Sequence, residues 1–250
     1  MKKQIDLLVF ERLNCEYKPV GVKFMLTKPD GIVKLDKKLA FCEMLKEAQS
    51  GEPFYATEEN HECKAGTILL GMSEVDPIFE SGQVGAKLGV YEDPRANRRI
   101  YLESPRVERG SVNYVAYSSY DKLPFDPDLL IVTAKPSQAE IVLRASGYKT
   151  GAAWNAKGTT VLGCAWLYMY PYVQGELNVM ITGLHHGMNA RKTFPEGLLL
   201  ISIPFDKIPG IVDSLKTMEW DLPQYSWGKD VHLKKMKEIA NEVIQELQKQ

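Results

Sequence analysis

Val20-Gly21-Val22-Lys23-Phe24-Met25-Leu26-Thr27-Lys28-Pro29 and, further on, Leu129-Leu130-Ile131-Val132-Thr133-Ala134-Lys135-Pro136 decide the reading of the fold. Each is an apolar run of strand length, rich in branched residues, that stops at a Lys-Pro pair. Three further segments recur around them in the same order. Cys63, in His61-Glu62-Cys63-Lys64-Ala65-Gly66, is matched by Cys164, in Leu162-Gly163-Cys164-Ala165-Trp166. Ala96-Asn97-Arg98-Arg99 is echoed by Asn189-Ala190-Arg191-Lys192, and Tyr120-Asp121-Lys122-Leu123-Pro124 by Phe205-Asp206-Lys207-Ile208-Pro209. The offset between partners shrinks along the chain, as it does when the first copy carries longer loops. Collinear matches of this kind predict two diverged copies of one unit, about 19–124 and 127–217, in one domain over 1–250 with pseudo-twofold character.

The expected class is a mixed α/β (α+β) fold, each copy running strand-helix-strand-helix-strand-strand. The first copy predicts a helix over Lys37 to Gln49, stopped by Gly51 and Pro53; the second predicts one over Ser137 to Ala145, stopped by Gly147. Short helices should start near Cys63 and Cys164, and closing strands are expected at Val84–Val90, Val112–Tyr117, Leu177–Ile181 and Leu198–Ile203. An amphipathic helix is expected at either end. The last, about 230–250, carries Leu233, Met236, Ala240, Val243 and Leu247 alternately three and four apart. A stripe that narrow must cover something, and its own chain is the expected surface.

Bulk properties exclude several functions. The chain has 31 Lys+Arg against 32 Asp+Glu, a net charge of -1, so the basic excess of a nucleic-acid binder is missing. No uncharged apolar run approaches the roughly 20 residues that cross a bilayer. Asp6 interrupts the start where a secretory signal needs an apolar run, which makes the cytoplasm the expected compartment. The four cysteines, Cys15, Cys42, Cys63 and Cys164, form no CxxC pair and read as reduced thiols rather than a disulfide framework. GxGxxG, P-loop, HExxH and GxSxG motifs are all missing.

The matched cysteines are the leading candidates for chemistry. A thiol at a helix start meets unpaired N–H groups and the positive end of the dipole, which predicts a lowered pKa and an available thiolate. His61 lies two residues before Cys63, and Cys42 falls on the buried face of the first helix; together these could supply a metal or iron–sulfur centre. The competing reading packs each thiol as a small hydrophobe, the better one for Cys42. A second candidate is the turn Gly183-Leu184-His185-His186-Gly187-Met188-Asn189-Ala190-Arg191. Its glycines let backbone approach a ligand, Arg191 can fork onto an anion, and His185 and His186 can carry protons, although neighbours in an extended chain point opposite ways. Trp166, Tyr168, Tyr170 and Tyr172 read as core.

The series Pro19-Val20-Gly21-Val22-Lys23-Phe24, Phe41-Cys42-Glu43, Phe54-Tyr55, Cys63 with Gly66, Leu70-Gly71, Cys164-Ala165 and the Gly183 to Arg191 turn resembles the family called domain of unknown function 169, over about Leu7 to Leu215. The resemblance implies occurrence in archaea and anaerobic bacteria and carries no activity with it. The expectation is therefore a small-molecule or metal/iron–sulfur binding protein, or a redox enzyme, with a cysteine-containing site between the repeats. The alternatives are a metal-free binder of an anionic small molecule at the Arg191 turn and an assembly partner without catalysis.

Overall fold

A computed structural model describes residues 5–249. The two apolar runs form the antiparallel strand pair at the centre of a seven-stranded mixed sheet. The strands are β1 (Val20–Met25), β2 (Val33–Lys34), β3 (Phe54–Ala56), β4 (Tyr114–Ser119), β5 (Leu129–Ala134), β6 (Asn178–Ile181) and β7 (Leu199–Pro204), in the order β2-β3-β4-β1-β5-β7-β6. β2 lies parallel to β3, and the other pairings are antiparallel. Every residue of β5 is buried, which is what a strand without polar alternation requires: both of its faces are covered.

The described residues also form ten α-helices: α1 (Phe41–Ala48), α2 (Lys64–Leu69), α3 (Pro77–Glu80), α4 (Gln83–Lys87), α5 (Pro94–Glu103), α6 (Pro136–Gly147), α7 (Tyr170–Gln174), α8 (His186–Ala190), α9 (Ile208–Thr217) and α10 (Lys229–Leu247). A 3-10 helix, Leu7–Leu13, forms the expected amphipathic element at the start, burying Leu7, Val9, Phe10 and Leu13. The period-2 rule divides the sheet. Val20, Val22, Phe24, Tyr117, Leu129, Ile131 and Leu200 join one core cluster with Phe41, Met44 and Leu45 of α1 and with Leu167, Tyr168 and Met169. Leu130, Val132, Ile201 and Ile203 alternate to the other side, and α6 packs against β5 and β7.

The edge beside β6 is closed by a short segment rather than a strand. Asn155 bridges to Asn178, the buried Asn178 amide donates to the carbonyls of Lys157 and Trp166 (both 2.9 Å), and its oxygen accepts from the Lys157 N–H at 2.8 Å. Residues 1–216 form one unit and 217–250 a second. In the second, the Trp227 ring packs on His232 at 6.3 Å where α10 begins, and α10 buries none of its side chains.

The mixed α+β class is as expected, with one correction and one unproven point. Val84–Val90, expected as a strand, contains helix α4. The reason is a distant partner: Gly85 lets Asn97 of α5 approach so closely that a Cβ would stand 2.5 Å from its Cγ, which docks the segment on a helix instead of a sheet. Outside the central pair lie β4, β3 and β2 on one side and β7 and β6 on the other, and β3 precedes the Cys63 helix while β6 follows Cys164. The succession of elements therefore does not establish the duplication.

Gly71 adopts φ +66°, and a side chain there would run into the Glu108 carbonyl. Gly71→Ala should cost roughly 2–4 kcal/mol in urea denaturation. Gly89→Ala, at φ +69° but facing open space, should cost only about 1 kcal/mol. Equal losses in the two variants would show that the Glu108 contact is unimportant.

Candidate functional site

Phe41 opens α1 and organises the region. A Cβ on Gly66 would stand 2.8 Å from its ring, so glycine is what seats α2 flush on the start of α1. The same ring meets His61 at 4.6 Å and Tyr168 at 4.8 Å between centroids, and the Phe41 carbonyl accepts the Tyr168 hydroxyl at 3.1 Å. Cys63 is the N-cap of α2 and is half-buried. Cys164 directly precedes Ala165–Met169, which winds as a π-helix, a rare geometry that recurs at functional sites. Cys42 is buried one residue into α1. Cys63 and Cys164 pack against the core cluster that contains Cys42.

The electrostatics place these thiols in one neighbourhood. Burial pushes the Cys164 thiol well up, and the next strongest influences are repulsion from Cys63 and then Cys42. Burial also raises Cys42, while its contact with Thr193 and the charge of Arg191 work the other way. Cys15, in another part of the chain, is pushed up to about 11 by burial alone. This corrects the helix-start expectation for Cys164: desolvation outweighs the dipole, so this thiol stays protonated at neutral pH. Tyr117 and Tyr168 are fully buried beside Cys42 and Cys164, and burial holds both phenols well above their ordinary range. The Tyr117 hydroxyl has no partner at ordinary hydrogen-bond geometry.

The Arg191 turn reaches the same neighbourhood. Sγ of Cys42 lies 3.5 Å from Oγ1 of Thr193, and Nε of Arg191 lies 3.7 Å from Oε2 of Glu43, which in turn accepts the Ala40 N–H at 2.7 Å. A groove of about 300 Å³ opens there, with Glu43, Lys46, Arg191, Lys192 and Thr193 on its walls. Non-glycine residues with positive φ among those described are Asn14, Leu162 and Lys192; the last two flank Cys164 and Arg191.

The histidines part company. His185 is buried, donates from Nδ1 to the Thr159 carbonyl at 2.9 Å and rests on Gly163 and Gly158, so it clamps the loop before Cys164. His186 is exposed, and its backbone N–H donates to the Thr160 carbonyl at 2.8 Å. His61 has both ring nitrogens buried without a partner, and desolvation lowers its pKa from 6.5 to about 4. Among the described residues no group of three or more His, Cys, Asp or Glu is arranged to hold a metal ion. Nor is any helix among them long and apolar enough to cross a membrane. Tyr117, Thr193 and Tyr101, whose phenol feels both Cys63 and Cys164 and is pushed up to about 12 chiefly by burial, went unread in the sequence.

The family model of domain of unknown function 169, described as an uncharacterised ArCR family, matches residues 10–214. The chain belongs to this family. The DUF169 match takes in all three clustered cysteines and the Arg191 turn, and stops before the second unit. No curated protein and no solved structure matches the chain.

Two measurements check this DUF169 site. Because the folded-state pKa of His61 is depressed, the stability tied to its neutral form is complete above pH 6.5 and is lost as pH falls towards about 4. The loss should be on the order of 3 kcal/mol, and His61→Phe should flatten that part of the stability profile. An unchanged profile would mean that His61 protonates without hindrance. Alkylation at pH 7 should modify half-buried Cys63 before buried Cys42; equal rates at the two would contradict their difference in exposure.

Proposed function

We propose that the chain is a ligand-binding redox protein whose reactive unit is the dithiol of Cys63 and Cys164, backed by Cys42 and Tyr117 and with Arg191 as its cation. The supporting observation is convergence: Cys42 of α1 lies in the core cluster against which Cys63, at the cap of α2, and Cys164, at the start of the π-helix, both pack, and the Arg191 turn reaches it through Thr193 and Glu43. The anion-binding reading of the Arg191 turn thus joins the thiol reading instead of competing with it. The substrate class is a small anionic disulfide. Cys63, at the cap of α2, loses its proton and attacks one sulfur, and the other half of the substrate leaves as a thiolate. Cys164 then gives up its proton and attacks Cys63, releasing the second half. Two protein thiols are oxidised to one disulfide and the substrate is reduced to two thiols. Arg191 supplies the charge that draws an anion in and lowers the cost of a nearby thiolate.

The test uses reduced protein, kept free of oxygen, and one equivalent of 5,5′-dithiobis(2-nitrobenzoate). Release of both aromatic thiols and a Cys63–Cys164 cross-link in the peptide map are expected. Cys164→Ser should stop at a mixed disulfide on Cys63, and Arg191→Leu should slow the first step about tenfold. A mixed disulfide that persists on Cys63 in the unaltered chain would overturn the dithiol.

A further inference from the structure

From the second unit, independently of the thiol chemistry, we infer that α10 pairs antiparallel with α10 of a second copy of this chain, forming a twofold-symmetric dimer. Leu233, Met236, Ala240, Val243 and Leu247 repeat three and four apart, the a/d spacing of a helix seam, and Ile239 and Ile244 widen it. The larger apolar side chains from Leu233 to Leu247 are 45–63% exposed, and they lie together along one helix rather than singly. The helix is 19 residues long, marginal for a helix standing alone in water.

Charge selects the occupant and its direction. Residues 229–237 hold Lys229, Lys234, Lys235 and Lys237 against the single acid Asp230, while 238–247 hold Glu238, Glu242 and Glu246 and no base. This order opposes the helix's own dipole, whose positive end is at the N-terminus. A solitary helix is weakened by such a distribution. Two copies laid antiparallel turn it into attraction: each lysine-rich half lies along the glutamate-rich half of the other, and the two dipoles also oppose. A parallel pair would set like against like along its whole length. With Glu238 at the centre, the helices overlap over their full length. Leu233 then faces Val243 of the second copy, Met236 faces the small Ala240, and Lys234 comes abreast of Glu242. The ion pairs of Glu238 with Lys234 (4.0 Å) and Lys235 (3.0 Å) lie off the apolar stripe and leave it free. The interface is isologous, so it closes at two copies.

The test is sedimentation equilibrium of the full chain. A reversible dimer is expected, and Val243→Glu should weaken it about 100-fold or more without moving the melting of the rest of the chain. Charge reversal keeps the result readable if that variant loses its helix, because K234E/K235E/K237E improves the match to the dipole. This triple variant and E238K/E242K/E246K should each dimerise poorly alone and recover as a mixed dimer. Orientation is read by cross-linking: Leu233→Cys should not link to itself but should link to Val243→Cys when the two are mixed. A monomer at every concentration would mean that the stripe covers its own chain. That result, a dimer indifferent to Val243→Glu, or self-linking of Leu233→Cys would each overturn the proposal.

Discussion

The contact on which the thiol region depends is that of the Phe41 ring with the backbone at Gly66. Any side chain at position 66 would displace α2, and with it Cys63, from the start of α1. Because the Phe41 carbonyl also takes the Tyr168 hydroxyl, the π-helical segment that follows Cys164 is tied to the same residue. One aromatic thus fixes three elements far apart in sequence. The contact is steric and directional, and aromatic packing of this kind adds about 0.5–1.5 kcal/mol beyond burial.

The thiols sit in an environment that resists charge. Protonated Cys42 and Cys164 next to two buried phenols make a weakly polar site with Arg191 as a nearby cation. Such a setting suppresses indiscriminate thiolate reactions and favours a reaction in which a bound partner brings its own charge.

Strand content was legible where packing follows from local composition. β1, β5, β6 and β7 fall where apolar runs of strand length occur, and α6 and α10 follow their periodicity. The stretch 84–90 was misread because its helical state depends on Gly85 meeting Asn97, a fit that no local pattern encodes. At the site, Cys63, Cys164, Cys42 and Arg191 were visible as residues. The Cys164 pKa was not, since the helix-start argument is local whereas desolvation counts every atom folded around the sulfur. Thr193 and Tyr117 carry no motif at all, and only the tertiary fold brings them to Cys42. Separating His185 from His186 needed nothing more than the alternation of neighbouring side chains.

The Asn178 side chain has a further consequence, for behaviour in a crowded solution. A sheet ends in unsatisfied peptide groups that invite strands from other molecules, and proteins limit this by covering or shortening their borders. Here one border is stitched shut by a single amide holding residues 155–157 alongside β6, and the other dwindles to the two residues of β2. Neither offers a long template for growth, so the sheet is protected against amyloid-like recruitment by its own margins.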